Sequence, residues 1–107
     1  METIIITTKK GLRLCDANKI IRIQGMGNYS KIYFADGSYA STIAKVLHWF
    51  EEHLPAGVFW RTHKTHLVNT RHVKQLPTSQ KHYLVLNNGE TLAVSRRRVP
   101  LLKNKIA

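Results

Sequence analysis

Ile4, Ile5 and Ile6, flanked by threonines, open the chain with a β-rich run. After Gly11, Leu12 and Leu14 alternate with Arg13 and Cys15 at the strand period of two. Asp16-Ala17-Asn18 has turn chemistry, and Ile20 to Gln24 is a second β-branched run. The two glycines of Gly25-Met26-Gly27-Asn28 predict an irregular loop, after which Tyr29 to Ala35 resumes strand character. Asp36-Gly37 is a hairpin signal, with a return strand over Ser38 to Ala40. Then the period changes. Ile43, Val46, Leu47, Phe50 and Leu54 recur at helical spacing and predict one amphipathic helix. Ser41 or Thr42 is its expected cap, and Pro55 and Gly57 stop it.

Beyond the helix the strand pattern returns. Val58 to His63, Leu67-Val68 and Val73 to Leu76 read as short strands. Pro77 to Lys81 is a polar loop. His82 to Leu86 pairs naturally with Thr91 to Val94 across a Gly89-containing turn. Ser95 is placed to cap a closing helix whose apolar positions are Val99, Leu102 and Ile106. Strands follow strands directly, which excludes a βαβ pattern. The expected fold class is mainly β (α+β), with one central helix and a short C-terminal helix, in one domain over residues 1–107.

Composition narrows the function. At 107 residues and 43% apolar, the chain can bury a core without disulfides. No apolar run reaches membrane-spanning length. The opening METIIITTKK puts its charges after its short apolar run, so no secretory signal is expected. A lone Cys15 fits a reduced, cytoplasmic setting. Seventeen Lys and Arg against six acids give a net charge of +11, which attracts polyanions. Nucleic acid leads. An anionic membrane is disfavoured, because the helical stretch sets Lys45 against Glu51 and Glu52 rather than showing a basic face.

Three segments carry candidate chemistry. Arg96, Arg97 and Arg98 follow a strand and Ser95. Three adjacent guanidiniums diverge whatever the backbone does, and arginine forks onto guanine or phosphate. Cations at a helix start oppose its dipole, so helix stability alone does not account for them. The second segment is Phe59 to Asn69, in which apolar residues bracket a basic middle. There His63, Lys64 and Thr65 suit a phosphate and a base edge, although a plain strand-turn-strand explains the same letters. The third is Gly25 to Lys31. It has neither the glycine spacing nor the following helix of a dinucleotide cradle. As an interstrand loop it presents Gly27, Asn28, Tyr29 and Lys31, unless Tyr29 packs on the core.

Other chemistries are poorly provided for. His63 and His66 form an H-x-x-H with His48 and His53 upstream, but nothing completes a zinc-type ligand set. No metal and no cofactor is expected. No G-x-S-x-G elbow is present, Cys15 has no activating neighbour, and six acids give little scope for paired-carboxylate catalysis. An enzyme is not expected.

Taken in order, these segments resemble the LytTR family of bacterial transcription regulators. The resemblance is carried by IIRIQGMGNYSKIYF (Ile20 to Phe34), by Ser41 to Leu54 followed by Phe59-Trp60-Arg61-Thr62-His63 and Leu67-Val68-Asn69, and by Asn88-Gly89 through Val94-Ser95-Arg96-Arg97. It implies small antiparallel β-sheets with short helices and binding of double-stranded DNA at promoter repeats through interstrand loops. Carried over by position, Gly27 to Lys31, His63 to Thr65 and Ser95 to Arg98 face DNA, with Tyr29, Lys64 and Arg97 nearest the bases. Lys64 and Arg97 suit guanine acceptors, whereas Tyr29 suits a sugar or a thymine methyl. A homodimer on repeats fits that picture. Family members usually carry a receiver or membrane domain ahead of this module. This chain starts at Met1 almost where the module begins, so it reads as either a free-standing regulator or an excised piece, with a receiver domain or sensor kinase upstream in the second case.

Strand alternation puts Arg61 on the face of Phe59. A partly buried guanidinium needs a partner, and Glu51 or Glu52 is the candidate, which makes Arg61 structural. The competing function is a basic β-domain binding RNA or single-stranded nucleic acid, which would expose strand aromatics such as Trp60 and Tyr83. A protein-interaction module with merely solubilising charge is the third class.

Overall fold

The computed structural model describes residues 2–103, apart from the side chains of residues 40–42 and 103. Ten strands make three antiparallel sheets. β1 (Thr3–Thr8) and β2 (Gly11–Asp16) form a ribbon. β3 (Ile20–Met26), β4 (Tyr29–Phe34), β5 (Tyr39–Ile43), β6 (Phe59–His63) and β7 (His66–Asn69) form a central sheet in the order β5-β4-β3-β7-β6. β8 (Val73–Gln75), β9 (Tyr83–Leu86) and β10 (Thr91–Ala93) form the third, in the order β10-β9-β8. Among the described residues there are two short α-helices, α1 (Leu47–His53) and α2 (Val99–Lys103), and three single 3-10 turns, at Ala17–Lys19, Thr70–His72 and Arg96–Arg98. No helix among the described residues is long and apolar enough to cross a membrane.

The central sheet is apolar on both faces, so it needs a cover on each. One core joins Ile4, Ile6 and Cys15 of the ribbon and Leu47, Phe50 and Leu54 of the helix segment to Ile23, Ile32, Phe34, Ile43 and Leu67 of the sheet. Fully buried Phe50 contributes about 1.5–3 kcal/mol there. The other core joins Ile21 and Val68 to Leu84, Leu86 and Leu92 of the third sheet and to Val99 and Leu102 of α2. Ile20 and Ile23 share the first core although they are three apart, which strict alternation forbids. A β-bulge between Ile20 and Arg22 inserts the extra residue, so Ile21 enters the second core.

Two polar devices lock these layers, and neither was legible in the pattern. Buried Arg22 forks onto Glu90 (Nε–Oε1 2.8 Å, Nη2–Oε2 3.1 Å) and lies 3.7 Å from the Tyr33 ring centroid, tying the central sheet to the β9–β10 turn. Asn69, fully buried, donates to the Ile20 carbonyl (3.0 Å) and accepts from the Arg71 N–H (2.9 Å). The asparagine of Leu67-Val68-Asn69 is therefore a core fastener.

Three expectations need correction. Helix α1 starts at Leu47, not Ile43. Ile43 ends β5 and reaches the same core from a strand, and Val46 caps the helix from an exposed position without any side-chain bond. Ser41 and Thr42 lie in β5 and cannot cap it. The expected irregular loop is a tight hairpin: β3 runs through Gly25 to Met26, Met26 pairs with Tyr29, and only Gly27-Asn28 turns. Gly25 serves packing, since a Cβ there would meet the Leu47 side chain at 3.1 Å. Gly27 serves the turn, at φ +69°. Of the closing helical stripe, Val99 and Leu102 are buried as expected, and Ile106 lies outside the described residues.

Candidate nucleic-acid interface

In this antiparallel arrangement β3, β5 and β6 all finish at one end of the central sheet, where β4 and β7 begin. Both candidate turns, Gly27-Asn28 and Lys64-Thr65, therefore share that end. The Gly25 N–H donates to the Thr65 carbonyl (2.8 Å), which fixes one hairpin against the other. On the far side of β6 the Ser95 N–H donates to the Thr62 carbonyl (2.9 Å), which brings Ser95 to Arg98 onto the same end. Three segments far apart in sequence thus line up in the order 27–28, 63–65, 95–98.

The middle turn is held by Arg61. Its Nε donates to the His63 carbonyl (2.9 Å), one Nη to the Lys64 carbonyl (2.5 Å), and the other Nη to Glu51 on α1. The structural role expected for Arg61 is what the geometry shows, with Glu51 as the acid. His63 Nδ1 accepts from the Thr65 N–H (3.2 Å), which leaves Nε2 to carry the ring proton as a donor. Lys64 stands exposed at the tip, and no ion pair to it is present among the described residues.

The other candidates divide. Asn28, Tyr29, Arg96 and Arg97 are exposed on this end, and Tyr29 keeps 51% of its surface. Arg98 is half-buried, with its guanidinium 3.5 Å from the Arg61 carbonyl, and acts as an anchor. Ser95 does not cap the following turn. Its hydroxyl is buried without a partner, so its part in the row is played by its backbone. Lys31 is not brought into the row. Its ammonium sits 4.0 Å from the Tyr39 ring centroid and 5.0 Å from that of Tyr33, drawn along the sheet face by cation–π attraction. Trp60 is half-buried against the second core, so it does not make an exposed platform with Tyr83.

Charge is polarised along the strands. Glu2, Asp16 and Asp36 belong to the opposite end, where β1 begins and β2 and β4 finish. The remaining acids are engaged by Arg22, His48 and Arg61. Lys64, Arg96 and Arg97 at the loop end thus have no acid partner among the described residues. Sequence reading missed that Lys45 and the Lys9-Lys10 turn also lie here. Gly11 breaks the strand pattern beside the second, but only the topology shows which end that turn occupies.

His66, just inside the middle turn, has a buried, unpartnered Nδ1. Burial holds its imidazole below the ordinary value, aided by Arg22 and His63 and opposed by Glu90. The unfolded chain therefore binds the proton more readily than the folded one. Stability is full above about pH 6.5, the ordinary value, and is lost as pH falls toward the lower folded value. Thermal unfolding at about pH 7.5 and about pH 5.5 measures this, and His66→Gln is expected to lose less stability on acidification than the wild type.

The model of the LytTr DNA-binding domain matches residues 10–107. The chain is 31% identical over 98 residues to the heme-containing CO-sensing transcriptional regulator RcoM 1 of Paraburkholderia xenovorans (strain LB400), covering 89% of this chain and 36% of that protein. It is 32% identical over 98 residues to RcoM 2 of the same organism, with the same coverage. The chain thus spans about a third of the length of these relatives. In structure it is similar to a LytTr DNA-binding domain from Bacillus cereus, with a TM-score of 0.81 at 20% identity over 98% of this chain and 96% of that one. The three-sheet fold and the family match over nearly the whole chain agree: this protein belongs to the LytTr DNA-binding domain family.

Proposed function

We propose that the domain reads the sequence of duplex DNA with the three aligned segments and so directs a bacterial transcription regulator to promoter repeats. The observation that carries this reading is the alignment itself. The Gly25–Thr65 and Thr62–Ser95 hydrogen bonds bring Asn28-Tyr29, Lys64 and Arg96-Arg97 to one acid-poor end. Rigid strands hold the loops, so side chains meet base edges without a recognition helix. Lys64 and Arg97 supply donors for guanine O6 and N7, His63 offers its Nε2 proton, and Tyr29 packs on sugar or a thymine methyl. Arg96 is a phosphate contact.

The curated relatives are transcriptional regulators, which supports the same role here. A homodimer on paired repeats, a sensory or receiver domain joined to this module, and a cytoplasmic location go with that role. The test is a titration of duplex DNA, single-stranded DNA and RNA at one salt concentration, followed by a salt series on the duplex. Duplex is expected to bind tightest. The slope of log K against log salt should be about −3 or steeper, at roughly −0.9 per neutralised phosphate. Preference for RNA or a flat salt response contradicts the reading.

A further inference from the structure

The β1–β2 turn lies outside the three segments, yet it ends on the same side of the molecule. Residues Ile5 to Lys9 line one cavity with Ile43, Ala44, Lys45 and Trp49. Ile43 pairs with Ser30, whose hydroxyl donates to the Lys45 carbonyl (2.5 Å), and Ser30 is one residue from the start of β4 at the 27–28 turn. Lys9 and Lys10 are both exposed, and no ion pair to either is present among the described residues. Their turn has a set shape: Thr8 Oγ1 donates to the Gly11 carbonyl (3.0 Å) and accepts from the Lys10 N–H (3.1 Å).

We propose that Lys9 and Lys10 form a separate phosphate clamp that grips the backbone of the duplex beside the stretch read by the three segments. The assignment rests on the duplex-binding reading above. Two neighbouring ammoniums at a turn tip act as point charges, which suits phosphate rather than a base edge. The ribbon is a layer apart from the central sheet. It packs at the β5 edge, the edge remote from β6. The clamp therefore extends the footprint on the side of the 27–28 turn away from Arg96-Arg97. Such contacts add affinity without adding preference for sequence.

The experiment compares wild type with the Lys9→Gln/Lys10→Gln double variant on a selected site with long flanks and on the same site trimmed on that side. Lys19→Gln, at the opposite end beside Asp16 and Asp36, is the control. On the long duplex the double variant should bind several-fold more weakly, with a salt slope shallower by about 1.8, two phosphates at roughly 0.9 each. On the trimmed duplex it should match the wild type, and Lys19→Gln should match it on both. Thermal melting of each variant confirms that the turn substitutions leave the fold intact. An unchanged slope in the double variant, with wild type binding the long duplex normally, overturns the clamp and leaves the three-segment reading standing. A wild type that binds no duplex overturns both.

Discussion

Arg61→Ala should destabilise the domain by about 2–3 kcal/mol and weaken duplex binding on the order of tenfold. Three bonds vanish together: those to the His63 and Lys64 carbonyls and the pair with Glu51. Glu51 is partly open to solvent, so the ion pair itself contributes little, and most of the loss comes from the two charge-assisted bonds to carbonyls. The turn that presents Lys64 is then free to move. Arg61→Lys should rescue poorly, because one ammonium cannot reproduce a fork that spans both carbonyls and the helix. Salt dependence separates positioning from contact. If Arg61 only shapes the turn, the salt slope of Arg61→Ala equals that of the wild type. If it touched phosphate, the slope would become shallower by about 0.9.

The strands and turns were readable because short-range rules govern them. Ile4 and Ile6 go inward while Ile5 stays out, as alternation demands, and the Asp36-Gly37 and Gly89 turns sit where their chemistry puts them. The helix start is hidden in the sequence because Ile43 satisfies two periods at once. It fits a helical stripe with Leu47, Phe50 and Leu54, yet a strand delivers the same side chain to the same core. The tight turn at 27–28 is not evident in the sequence because two close glycines look alike there. One is needed for a positive φ and the other for the approach of Leu47.

Long-range pairings had no local signature. Arg22 and Glu90 are 68 residues apart, and nothing near either announces the other. The candidate site was legible as three segments but not as a row, since its alignment depends on backbone bonds between strands that are neighbours only in the folded sheet. Lys31 shows the limit of transfer by position. It lies in the right segment, but Tyr33 and Tyr39 hold its ammonium on the sheet face. Ser95 shows another, with its hydroxyl turned inward and only its N–H used in the row.

Arg97 decides whether the exposed end reads sequence or only holds charge. It is solvent-exposed in the segment anchored through Ser95 and Arg98. A guanidinium bidentate to guanine O6 and N7 discriminates by about 1–3 kcal/mol, roughly 5- to 150-fold. The direct measurement is the affinity of wild type and Arg97→Ala for a site selected from a random duplex library and for a scrambled duplex, at one salt concentration. Base reading predicts that Arg97→Ala loses that factor on the selected site, loses much less on the scrambled one, and relaxes preference at one or two positions. Equal losses on both duplexes would contradict it and leave Arg97 a phosphate contact.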